Sequence, residues 1–346
     1  MAYTDIDKPS DYFNTKLFSG NGSGGHAITS VGFAPNWVWL KKRDGTPLHH
    51  LYDTIRGVTK MITSVDTREE STQTNGLTAF GSDGFTVGSD ADINSGSMVS
   101  WNWKAGTSFT NDASGTGIGS IDSTGSVNTD AGFSIVKWVG TASNATIAHG
   151  LGTTPSVFIS KSMAGAHSWG VYHKSIGIGS TTLLNSSGAS DADATYYGGT
   201  SPTSTIMGLG TANAANASGN MIGYAFAEKQ GYSKFKSYIG NNNVNGPLVY
   251  TGFKPAWVML KSSGENGWSI YDNKRSPFNL CQNTLLANTT GVEQTSGGNG
   301  AIDILSNGFK IKNTDAGINS DGVEYIYMAF AENPFTTSTG VPATAR

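Results

Sequence analysis

Along most of this chain, apolar and polar residues alternate in short runs broken by Gly, Asn and Ser. The clearest run is Phe133-Ser134-Ile135-Val136-Lys137-Trp138. Leu17-Phe18-Ser19-Gly20 and Phe235-Lys236-Ser237-Tyr238-Ile239-Gly240 resemble it. A period of two predicts strands, whose successive side chains point to opposite faces. The runs also recur as a set. Gly32-Phe33-Ala34-Pro35-Asn36-Trp37-Val38-Trp39-Leu40-Lys41 returns at residues 152–161 and again at 252–261, with Pro35, Pro155 and Pro255 spaced 120 and 100 residues apart. Proline is tolerated at the first residue of a strand, where its missing N–H costs no ladder bond. Beyond it, Trp37 and Trp39 lie two apart and share a face, as do Trp257 and Met259.

Each copy continues in the same order. An aromatic strand reads Leu51-Tyr52-Asp53, Val171-Tyr172-His173 and Ile270-Tyr271-Asp272. Asp83-Gly84-Phe85 and Asn307-Gly308-Phe309 supply the positive φ of a tight hairpin turn. A closing strand reads Met98–Trp103, Met221–Phe226 and Tyr325–Phe330, each after an Asn- and Gly-bearing loop. Helical spacing is nearly absent. Ile55, Val58 and Ile62 within Tyr52–Val65 fit either one helix or a strand pair. The pattern predicts an all-β protein of three tandem antiparallel β-sandwich units, lectin- or jelly-roll-like. The expected boundaries are an N-terminal arm (1–16), repeat 1 (17–105), a Gly/Ser/Thr linker (106–131), repeat 2 (132–230), repeat 3 (231–335) and a disordered polar tail (336–346). The units are expected in series, with their large rings inside each sandwich.

Composition narrows the function. Charged residues are 14% of 346, and the net charge is −3. The globular norm is about 25% charged. The longest basic cluster, Lys41-Lys42-Arg43, reads as a solvated strand end. Nucleic acid and anionic membrane are therefore not expected partners. One cysteine, Cys281, excludes an intrachain disulfide and reads as a small buried hydrophobe. The polar start does not resemble a signal peptide, and no apolar run reaches the roughly 18 residues of a spanning helix. Synthesis and solubility in a cytoplasm are expected.

Catalytic motifs are absent at the level of sequence: no nucleophile elbow, no paired metal histidines, no phosphate loop. No carboxylate repeats in all three copies, against the two opposed acids of a glycosidase. No cofactor is implied. Three constellations remain. Asp53 with Arg56 and Asp272 with Arg275 repeat at one spacing, either as ion pairs bracing a loop or as a ligand contact. Trp169 and Trp268 precede the aromatic strands, where the first copy has His49. They fit packing or stacking on a sugar. Asp90, Asp92 and Asn94 place oxygens at alternating positions, as calcium loops do, although Asp and Asn bonding their own backbone explains the turn equally.

The repeated Gly-Phe-x-Pro-x-Trp-Val-x-Leu-Lys, the Tyr-Asp-x-x-Arg segment, the Asp/Asn-Gly-Phe turn and Ala329-Phe330-Ala331-Glu332-Asn333-Pro334-Phe335 resemble a domain of unknown function. That domain is widespread in tail-fibre and other virion proteins of tailed bacteriophages, especially marine ones. Residues 1–16 also resemble the starts of such proteins. The resemblance spans about residues 17–335. It implies a non-enzymatic virion component, most plausibly of a tail fibre or host-recognition device that meets host cell-surface polysaccharide through its loops. Its partners would be other virion proteins and further copies of itself, as a homotrimer. An architectural virion protein without a ligand is the alternative, and a polysaccharide depolymerase a third. The second copy departs most from the pattern, lacking the Trp after its proline and the Asp/Arg pair.

Overall fold

The structure, a computed structural model, describes residues 4–298 and 300–344. It is mostly strand, arranged in antiparallel sheets, with a few single-turn helices. Among the described residues no sheet closes into a barrel. One strand order occurs three times. In the first copy the opening strand Phe13–Asn21 pairs with the closing strand Ser95–Trp103. That strand pairs with the proline strand Trp37–Lys42, and the proline strand with the aromatic strand His50–Asp53. A bridge from Leu51 to Ile62 adds a fifth position. The second copy runs Phe133–Gly140, Gly219–Phe226, Val157–Ser162, Gly170–His173, Thr182–Leu183. The third runs Ser233–Ile239, Glu324–Pro334, Phe253–Ser262, Ser269–Asp272, Leu285–Leu286.

A smaller sheet accompanies each large one: His26–Ile28, Gly84–Val87 and Leu77–Gly81 in the first copy, Ala145–Ala148 and Ile206–Leu209 in the second, Leu248–Tyr250, Gly308–Ile311 and Ile302–Leu305 in the third. Side chains from the small sheet and one face of the large sheet form a separate core in each copy. In the third, Val249, Ile304 and Phe309 pack with Val258, Leu260 and Tyr327. Corresponding cores surround Val38 with Phe85 and Phe158 with Met207.

The opposite faces of all three large sheets meet in one cluster. Every second residue of the closing strands belongs to it: Val99, Trp101 and Trp103; Ile222, Tyr224 and Phe226; Ile326, Met328 and Phe330. Rings from different copies touch there. Trp37 stacks on Tyr224 at 4.3 Å, Trp103 meets Trp257 edge-on at 5.7 Å, and Phe226 lies 5.8 Å from Phe330. The tryptophans are buried as expected, but seven of the eight lie between copies rather than inside separate units in series, and Trp138 alone packs in its own copy's core. The reason lies in the alternation: these strands are apolar on both faces, and the small sheet covers only one.

Three segments differ from expectation, and a fourth settles a choice left open by the sequence. Residues 106–131, read as a linker, supply Thr107–Asn111 and Ser123–Asn128, which extend the second large sheet beside Phe133–Gly140. Their Ser, Thr and Gly suit an edge that fills little core. Tyr52–Val65 is a strand pair rather than a helix. The arm is anchored, with Ile6 buried in the shared cluster and the Thr4 hydroxyl donating to the Gln230 carbonyl at 3.0 Å. Residues 1–3 lie outside the described residues. The tail turns back on itself: Thr337 N–H donates to Val341 O at 2.9 Å, and Ser338 N–H to Asp7 at 2.6 Å. Residues 345–346 lie outside the described residues.

Candidate functional site

The repeated Asp and Arg side chains are gathered where the copies meet. Asp53 ends the first aromatic strand and is fully buried. Its Oδ1 accepts the Ile55 and Arg56 N–H groups at 3.0 and 2.9 Å, and its Oδ2 accepts Arg56 Nε at 2.6 Å. Arg56 donates further to the Lys60 and Leu51 carbonyls. This is the local brace. The remaining partner comes from the second copy: Tyr224 Oη donates to Asp53 Oδ2 at 2.7 Å. Burial works against the Arg56 charge, but Asp53, Tyr224 and Glu70 together raise its pKa.

Asp272 repeats the arrangement. Its Oδ1 takes the Lys274 and Arg275 N–H groups, and its Oδ2 takes Arg275 Nε at 2.5 Å. The extra donor is Trp101 Nε1 of the first copy, at 3.0 Å. The Arg275 guanidinium lies over the Trp101 ring at 5.5 Å. Trp101 and Tyr224 hold the same position in their closing strands. In the third closing strand that position is Met328, which has no donor to offer. The second copy correspondingly has His173, whose Nε2 lies 3.2 Å from the Tyr327 carbonyl. Burial lowers the His173 pKa to about 4, so the ring is neutral. The first copy thus reaches the second, the second the third, and the third the first.

Trp169 and Trp268 bond in the opposite sense around the same ring. Trp169 Nε1 donates to Thr63 O of the first copy at 2.7 Å, and Trp268 Nε1 to Leu183 O of the second at 2.9 Å. Thr63, Leu183 and Leu286 occupy one position of the fifth strand, by register with Leu51, Val171 and Ile270. His49, in the place of those tryptophans, is buried. Burial drives its pKa well below the ordinary value, and the Leu286 carbonyl of the third copy opposes the shift. Backbone bonds close a further ring: Glu70 N–H to Met163 O at 3.4 Å, Ser190 N–H to Ser263 O at 2.9 Å, Glu293 N–H to Arg43 O at 2.9 Å. A bidentate Arg43–Glu293 pair reinforces the last, at 2.7 and 2.9 Å.

In the candidate calcium set, Asp90 and Asn94 bond the backbone of their own turn. Asn94 is buried, and its Nδ2 donates to Ser23 O and Gly88 O at 2.8 and 2.7 Å. Asp90 Oδ1 accepts the Asp92 N–H, while Asp92 Oδ2 lies 3.8 Å from His50 Nε2. Asn94 instead clamps the loop after the opening strand. Asn216 and Asn319 do the same, bonding Ser143 O and Asn243 O. Among the described residues no group of three or more His, Cys, Asp or Glu side chains is placed to hold a metal ion.

The sequence reads Lys41, within Lys41-Lys42-Arg43, as part of a solvated strand end, and the structure corrects this. Lys41, Lys161 and Lys261 close the repeated motif and are buried. Each ammonium donates to carbonyls. Lys41 Nζ reaches Thr290 O of the third copy at 3.1 Å, and Lys161 Nζ reaches Thr67 O of the first at 3.3 Å. Burial lowers all three pKa values to about 8. Their repetition at fixed spacing was the available signal. Cys281 is buried, as expected.

Among the described residues no helix is long and apolar enough to cross a membrane. No curated protein and no solved structure matches the chain. A family model covers residues 8–334, nearly the whole chain and all three copies of the pattern. The chain therefore belongs to the family described as a domain of unknown function, DUF7483.

Proposed function

We propose that this chain is a non-enzymatic structural component of a phage virion, placed in a tail fibre or host-recognition device, whose outward loops meet host-surface glycan. It is built, in this reading, from three copies of one sandwich unit closed about a shared core. The observation that carries the reading is the fate of the repeated chemistry. Asp53, Asp272, Arg275, Trp169 and Trp268 are buried, and every one joins one copy to another. Repetition here serves rigidity, which suits a part that transmits or resists load. The sequence resemblance to virion proteins supplies the setting. A homotrimer, which the resemblance to fibres implies, would join through outer surfaces, because the inner faces already cover one another.

An electron-microscopy map of the intact particle tests the placement. The proposal expects density of this fold on a tail fibre or baseplate arm, and its absence from the particle contradicts it. The same burial favours a second reading, an architectural virion protein without a ligand, because packing accounts for Asp53, Arg56, Asp272, Arg275, Trp169 and Trp268. Binding of purified protein to host lipopolysaccharide or capsule on a glycan array supports the first reading, and no binding supports the second.

A further inference from the structure

A cleft of about 430 Å³ opens where the turn between the second and third copies, residues 228–234, meets the loop at 250–252 and the end of the closing strand at Phe335. Two aromatic rings line it while facing water: Tyr250 is 61% exposed and Phe335 40%. An aromatic ring on a surface forgoes the burial that normally rewards it. The other copies show that the unit does not need one there. Ile28 pairs with Phe85, Ile147 with Met207 and Val249 with Phe309. By that register Tyr250 stands where the first copy has Thr29 and the second has Ala148.

The facing wall is basic. Lys229, Lys234 and Glu228 line it. Glu228 is already matched, with Lys174 Nζ at 2.8 Å and Lys234 Nζ at 3.4 Å. Lys229 has no ion pair among the described residues, so the wall keeps unbalanced positive charge. Gly231 and Gly252, which adopt φ of 76° and 83°, also line the cleft. An apolar platform with a few convergent polar groups is the usual form of a small-ligand site.

We propose that this cleft binds an acidic saccharide, a pyranose carrying a carboxylate. The C–H face of the sugar lies on the electron-rich face of Tyr250. Phe335 closes the apolar side, and the carboxylate sits at Lys229 and Lys234. The inference rests on the glycan-meeting reading above and names its site and ligand class.

Saturation-transfer NMR and titration of the full chain with sialyllactose, a glucuronate-containing disaccharide and neutral lactose test it. Both acidic sugars bind at least tenfold more tightly than lactose. Tyr250→Ala weakens them tenfold or more, and Lys229→Gln removes the preference for acid over neutral sugar. Both variants keep the wild-type thermal midpoint, because these side chains fill no core. Acidic sugars that bind with no effect of either substitution overturn the cleft and leave the glycan-meeting reading standing. Equal affinity for lactose overturns the ligand class. Failure of every saccharide overturns the cleft. If the protein also fails to bind host cells, the glycan-meeting reading falls with it.

Discussion

Burying Asp53 beside Arg56 is tolerable because both Asp53 oxygens and the charged guanidinium find partners, one of them from another copy. Breaking such a pair leaves an uncompensated charge, at about 3–5 kcal/mol. Asp53→Ala and Asp272→Ala are each expected to lower stability by that amount in urea unfolding. Tyr224→Phe keeps the ring and removes only the donor to a carboxylate, about 1.5–3 kcal/mol. Its unfolding midpoint falls by less than that of Asp53→Ala. The brace was legible, since Asp-x-x-Arg repeats. Its inter-copy partners were not: Tyr224 and Trp101 each lie 171 residues from the carboxylate they meet.

The buried bases fix the pH dependence. His149 and His173 have pKa values lowered to about 4 by burial, below the ordinary 6.5. Between those limits the unfolded chain binds more protons, so stability is full above pH 6.5 and is lost as pH falls toward 4. Lys41, Lys161 and Lys261, lowered to about 8 from 10.5, act in the same sense over a higher window. Stability contributed by them rises between pH 8 and 10.5. Urea midpoints measured across pH are expected to climb from pH 4 to 6.5, level off, and climb again from pH 8 until, near the ordinary tyrosine value of 10.0, the buried tyrosines, whose pKa values burial raises, act in the opposite sense. Replacing the three lysines by Met removes the second rise.

At the scale of elements, strands and their order were legible because period two and the proline motif repeat together. Which surface covers each face was not. A strand such as Trp37–Lys42 is apolar on both sides, and alternation cannot say whether a small sheet or a neighbouring copy lies opposite. The segment 106–131 misled for the opposite reason: edge strands need few apolar residues, so Ser123–Asn128 reads as a loop. The end of each opening strand gives a sharp test. Gly20, Gly140 and Gly240 pass so close to the asparagine loop that an added Cβ would lie 2.1, 2.0 and 2.2 Å from its backbone. Overpacking of this kind costs about 1–3 kcal/mol. Gly140→Ala is expected to fall in that range by urea unfolding, and a neutral result would contradict the close approach.

For the whole molecule, the three large sheets share a cluster that no copy can cover alone. A single excised copy would expose Trp169, Ile159 and Tyr224 or their counterparts to water, and contiguous apolar surface of that kind drives association. The full chain therefore unfolds as one unit. Differential scanning calorimetry tests this most directly, because a shared core forces the calorimetric and van't Hoff enthalpies to agree. The account predicts one transition with a ratio near one. Two or three resolved transitions, or a calorimetric enthalpy about three times the van't Hoff value, would show copies that melt independently and would contradict it.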